Sequence, residues 1–147
     1  MARNRKAGGS PVLRVLTAAG LGVEAYVHIH LAARYDGVTG SAIISQGMLF
    51  RSVGAIAILM ALLVLASGSR ILHFVAFLVA AGALTFVLLY RYTNLGALGP
   101  LPNMHDPTWF GMKTLSVIGE AVATVTAAAL TLRRGVGKPT ASGNSSS

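Results

Sequence analysis

Four long apolar runs, each broken by few polar positions, divide the chain: Val12 to Ala33, Met48 to Ala66, Ile71 to Tyr90 and Gly111 to Leu132. Each is long enough to cross a hydrocarbon core of about 30 Å as an α-helix rising about 1.5 Å per residue. The pattern predicts an all-α fold, an integral membrane four-helix bundle in up-down order, over residues 12–132. The first run is too long and too polar for a secretory signal, because Glu24, His28 and His30 interrupt it. Small residues four apart, Ala18 with Gly22, Ala57 with Ala61, Ala76 with Ala80 and Ala123 with Ala127, give every helix a surface for close packing in lipid.

The connections differ in character. Tyr35 to Gln46 reads as a short loop, and Ser67 to Ser69 as a tight turn whose glycine stops one helix before the next begins. The segment from Arg91 to Phe110 is the longest. It carries Pro100, Pro102 and Pro107, ends in Trp109 and Phe110 at the headgroup level, and is a candidate lid.

Composition supports the membrane reading, with 54% hydrophobic and 11% charged residues. Twelve bases against four acids would suit a nucleic-acid protein, but the bases lie at the edges of apolar runs rather than on one solvated face, so no nucleic acid is expected. Arg3, Arg5, Lys6, Arg14, Arg70, Arg133, Arg134 and Lys138 fall on one side of the bilayer, against Arg34, Arg51, Arg91 and Lys113 on the other. That bias predicts both termini in the cytoplasm, with residues 1–11 a basic cytoplasmic segment and 133–147 a disordered cytoplasmic tail. With no cysteine, disulfides and thiolate chemistry are excluded.

Candidate chemistry rests on charges inside the apolar runs. An unpaired charge at the membrane centre costs about 2.5 to 3.5 kcal/mol on the insertion scale. Glu24 lies ten residues before Arg34 and Glu120 ten after Phe110, which sets them at matching depth on the first and last helices. His28 is one helical turn from Glu24 on the same face, while His30 points elsewhere. Lys113, Ser116, Glu120 and Thr124 form a polar stripe on the fourth helix. Arg51 begins the second helix, and Tyr90 with Arg91 ends the third.

Two readings follow. In one, Arg51 and Lys113 pair with Glu24 and Glu120 and merely lock the helices. In the other, Glu24, His28, Arg51, Tyr90, Arg91, Lys113 and Glu120 surround an outward-opening polar pocket that binds a small polar head group or relays protons. No metal site is expected: di-iron bundles need two Glu-x-x-His motifs, and this chain has a single Glu-x-x-x-His. An alternative is copper at His28, His30, Met104 and His105, with Met48 and Met112 nearby, since thioether and imidazole suit Cu(I). The tract LGPLPNMHD has neither a phosphate-cradling loop nor a nucleophile elbow. No catalytic residue and no cofactor can be named from the residues.

The order of the segments EAYVHIHLAARYD, LLYRYTNLGALGPLP and WFGMKTLSVIGEAVA resembles small four-helix bacterial membrane proteins, and more distantly the DoxX-like family. The resemblance covers residues 12–132 in helix count and order. It implies a bacterial inner-membrane subunit associated with redox or quinone-linked partners. Together these readings predict an accessory or ligand-binding subunit that takes a quinone, lipid or other small ligand, as a homo-oligomer or within a membrane complex. An enzyme or proton-coupled transporter using the same cluster, and a purely structural partner subunit, are the alternatives.

Overall fold

The computed structural model describes residues 10–39 and 43–133, and within them the chain is helical with no strand beyond one isolated bridge. Helix α1 spans Pro11–Ala32 and runs into a single 3-10 turn, Ala33–Tyr35. Helices α2, α3 and α4 span Gln46–Ala66, Arg70–Tyr92 and Gly111–Leu132. All four are long and apolar enough to cross a membrane. The expected basic segment and tail fall, apart from residues 10, 11 and 133, outside the described residues.

Local chemistry sets where the helices start and stop. Pro11 occupies the first turn of α1, where its missing N–H costs nothing. The Ser45 hydroxyl accepts from the Met48 amide at 3.0 Å, so α2 begins two residues ahead of its apolar run. At the other end of α2, the Arg14 guanidinium donates to the Val64 carbonyl at 2.9 Å and also to that of Leu65. It satisfies two carbonyls that the helix end leaves free, and ties the start of α1 to the finish of α2.

Helix α1 is the hub. It packs extensively against α2 and α4, and α3 packs on α4, whereas α2 and α3 touch little despite the three-residue turn that joins them. The register of α1 on α4 is antiparallel. The Thr17 and Thr126 hydroxyls meet at 2.7 Å, and one turn further along Gly20 lies against Gly119 and Ala123. Ala57, Ala76, Ala80, Ala123 and Ala127 are fully enclosed, whereas Leu62, Ile71, Val125 and Leu132 are exposed. Alanines dominate the core beside a few larger residues such as Leu21, Met60 and Val64, while many large apolar side chains face outward.

One small-residue expectation is corrected here. Gly22 faces open space, and the close approach of α1 to α4 is made by Gly20 instead. Both ends of the described chain lie with the Ser67–Ser69 turn, and the two longer connections lie together at the opposite, loop end. The candidate site is at that loop end.

Candidate functional site

Glu24 and Glu120 follow in the same α1–α4 register, one turn beyond Gly20 and Ala123, and both side chains are fully buried. Ser116, one turn before Glu120 on α4, donates its hydroxyl to Glu120 Oε1 at 2.6 Å. Among the described residues, both oxygens of Glu24 and Oε2 of Glu120 are buried without any hydrogen-bond partner. His28 stands one turn after Glu24, with its Nδ1 2.9 Å from the Glu24 carbonyl oxygen. A carbonyl only accepts, so Nδ1 carries the proton and Nε2 presents a lone pair. One donor atom from each of Glu24, His28 and Glu120 lies within 4.8 Å of the other two.

Beside this triad is a cavity of about 410 Å³. His28, Ser116 and Glu120 form its polar floor, while Val53 and Ile56 of α2 and Val79 and Ala83 of α3 form apolar walls. These four residues stand at similar heights above the Ser67–Ser69 turn, so the cavity occupies the gap where α2 and α3 fail to meet. Phe50 sets its ring edge-on to His28 at 5.1 Å. Two further buried polar atoms without partners, the Tyr90 hydroxyl and Arg91 Nε, belong to residues that line the same cavity.

The connection from α3 to α4 roofs the cavity with Leu101, Met104, Asp106 and Phe110. Its shape is built in. Leu98 and Leu101 exchange two backbone hydrogen bonds, at 3.1 and 3.0 Å, around Gly99, whose φ of 56° suits glycine. Pro102 is fully buried, His105 Nδ1 donates to the Tyr90 carbonyl at 2.8 Å, and Arg91 lies over the Trp109 ring. Lys113 then staples the roof to α4. Its ammonium reaches Asp106 Oδ2 at 2.9 Å and the carbonyls of Asp106 and Thr108 at 2.8 Å each, which uses all three of its donors. Burial pushes the Asp106 carboxyl up, but hydrogen bonds from Lys113 and Thr108 outweigh it, so it is held below the ordinary value of 3.8.

The structure therefore gathers His28, Glu120, Tyr90, Arg91 and Lys113 around one cavity, sets Glu24 beside His28 and Glu120 just behind its floor, and leaves Arg51 out. Arg51 is exposed and forms a bidentate pair with Asp36, at 2.5 and 2.7 Å, which holds the Asp36 carboxyl below its usual range. The expected pairing of Arg51 and Lys113 with Glu24 and Glu120 is not formed. Among the described residues no base reaches either glutamate, because Asp36 and Asp106 sit closer in space to both bases. Thr124, expected in the polar stripe, turns its hydroxyl back to the Glu120 carbonyl.

The copper set is likewise not gathered. His28 and Met104 line the cavity, but His30 stacks on Tyr26 on the outside of α1, His105 is bonded to Tyr90, and Met48 is exposed. Sequence reasoning gave Asp36 no role and read Asp106, beside His105, as a solvated turn sooner than a lid contact, and it assigned neither aspartate a basic partner. The available signal was that they are the chain's only acids besides the two glutamates, each standing a loop's length from a base at a helix start. No family model, curated protein or solved structure matches this chain.

Proposed function

We propose that the protein is a multi-pass cell-membrane protein, an up-down bundle with both termini in the cytoplasm, that binds a membrane amphiphile in the loop-end cavity. Four apolar helices whose large side chains face outward support the bilayer setting. The excess of bases on the side of the termini supports the orientation.

The single observation that carries the ligand reading is a 410 Å³ cavity with apolar walls, a carboxyl and imidazole floor, and buried polar atoms that lack partners. Pockets of this size and mixed lining are the usual form of small-molecule sites. The Glu120 carboxyl at the floor, with that of Glu24 buried close behind it, disfavours an anionic head group. Carbonyl or hydroxyl oxygens would meet His28, Ser116 and the Tyr90 hydroxyl, and the gap between α2 and α3 suits a tail leaving sideways into lipid. A quinone has this chemistry, and the DoxX-like resemblance to subunits with quinone-linked partners agrees with it. The protein then acts as an accessory or ligand-binding subunit.

Native mass spectrometry of the protein extracted in mild detergent tests the reading. Wild type should retain about one quinone-like molecule per chain, and Ala83→Trp, which fills the cavity from α3, should lose it while keeping its helical content. An empty wild type that also fails to take up an added short-chain ubiquinone analogue refutes the reading. The closeness of Glu24 and Glu120 favours a second reading, proton-coupled transport across the α1–α4 seam. Proton flux in proteoliposomes without ligand retention would select it.

A further inference from the structure

The triad of Glu24, Glu120 and His28 has properties that an amphiphile does not account for. Among the described residues three buried carboxylate oxygens have no hydrogen bond, and no base pairs with them. Glu24, the more deeply placed member, does not line the cavity, so a head group resting on the floor leaves both its oxygens unmet. Buried charge in such a place is paired or coordinates a metal.

We propose that Glu24, Glu120 and His28 bind one divalent transition-metal ion at the α1–α4 seam, with its open coordination positions facing the cavity. This goes beyond the amphiphile reading and does not depend on it. Charge comes first: two carboxylates and a neutral imidazole sum to minus two, which a divalent cation cancels in a site where either charge alone would be costly. The donor set comes second. One imidazole nitrogen with two carboxylates suits Zn²⁺, Mn²⁺ or Fe²⁺, whereas Ca²⁺ and Mg²⁺ favour oxygen alone and Cu(I) favours sulfur.

Geometry agrees. Donors at the 4.8 Å limit of mutual separation would stand about 2.8 Å from a common centre, so inward shifts of about 0.7 Å give bonds of about 2.1 Å. The flexible ends of two glutamates provide such shifts. The supporting shell is also present. His28 Nδ1 is fixed by the Glu24 carbonyl and leaves Nε2 free, and Ser116 orients Glu120 through Oε1 and leaves Oε2 free. A backbone carbonyl behind a ligating histidine and a hydroxyl behind a ligating carboxylate are the usual outer partners of a metal site. The ion has a way in, because His28 and Glu120 both border the cavity.

The test uses the full chain in detergent, stripped with chelator and titrated with Co²⁺, whose visible ligand-field absorption reports imidazole and carboxylate coordination, followed by Zn²⁺ displacement counted by elemental analysis. Wild type should take up one ion per chain. Glu24→Gln and His28→Phe should lose more affinity than the ~10–100-fold that removing an outer partner costs. His30→Phe, on the outside of α1, should bind as wild type, and wild type freed of any retained amphiphile should bind the ion equally well, which separates this site from the amphiphile. Far-UV circular dichroism establishes that each variant is folded, and His28→Phe decides alone should Glu24→Gln not fold. Wild type binding no Co²⁺, folded Glu24→Gln and His28→Phe binding it undiminished, or His30→Phe losing it equally would each overturn the proposal.

Discussion

Gly20 and Gly22 sit two residues apart on α1 and should respond oppositely to the same added methyl group. A Cβ on Gly20 would lie 2.5 Å from the Gly119 carbonyl oxygen, 2.9 Å from the Ala123 amide nitrogen and 3.0 Å from Ala123 Cβ. These neighbours are backbone or Cβ atoms, so no rotamer change relieves the clash and α1 must move from α4 by roughly 0.5 to 1 Å. Overpacking of this kind costs about 1–3 kcal/mol, opposed by a gain of about 0.5–1 kcal/mol from replacing glycine within a helix. A net loss near 1–2 kcal/mol lowers the melting temperature by about 2–8 °C for a chain of this size. Gly22→Ala meets no atom within 4 Å, keeps only the helical gain, and should raise melting by about 1–4 °C. Thermal unfolding of both variants in detergent, followed by circular dichroism, reads the two signs. Gly20→Ala melting at or above Gly22→Ala would refute the close seam. Because Glu24 is one turn beyond Gly20, the same displacement should weaken Co²⁺ binding in Gly20→Ala and leave it intact in Gly22→Ala.

The remaining predictions concern the acids. Metal-free Glu24→Gln should melt at or slightly above wild type, since its new amide N–H can donate to the unmet Glu120 Oε2 for about 0.5–1.5 kcal/mol; a fall of several degrees would mean that a cationic partner holds Glu24. Asp106 is held below 3.8 in the folded chain, so its grip on Lys113 is fully present above that value and fades as pH drops through the lower folded value. Hydrogen exchange of residues 93–110 should therefore stay slow at neutral pH, quicken only below about pH 4, and be fast at all pH in Asp106→Asn. Quickening near neutral pH would assign the latch to a histidine instead.

Helix count and placement were readable because long apolar runs leave a helix no competitor in lipid. The observed ends differ from the apolar runs by at most two residues, at Gln46 and Tyr92, where a serine cap and continued backbone bonding extend the helices past the hydrophobic stretch. The matching depth of Glu24 and Glu120 was also readable, because counting residues from a helix end fixes height. What counting does not fix is rotation. Gly22 was expected to pair with Ala18 as a packing surface, but Gly20, about 200° away around α1, makes the close approach, and only contact with α4 decides between them. Arg51 and Lys113 were misassigned for another reason. Their long stems reach several directions equally well, and the choice fell to aspartates on connections whose path no periodic pattern foretells.

That choice by the aspartates shapes the site more than any residue inside it. The chain has four acids, and Asp36 and Asp106 take up Arg51 and Lys113, two of the four bases at the loop end, one by a bidentate fork and the other with every ammonium donor engaged. Glu24 and Glu120 are thereby left to each other across a seam that glycine and alanine bring close. Had a base been free to reach between them, the cluster would be an internal ion pair, complete without a ligand. As it stands, the described chain can neutralise it only with protons, and His28, which an internal lock would not need, brings a donor atom within 4.8 Å of both carboxylates. The roof held by Lys113 and the gap between α2 and α3 then take on a definite meaning, because a site that is incomplete from within requires a way in for whatever completes it.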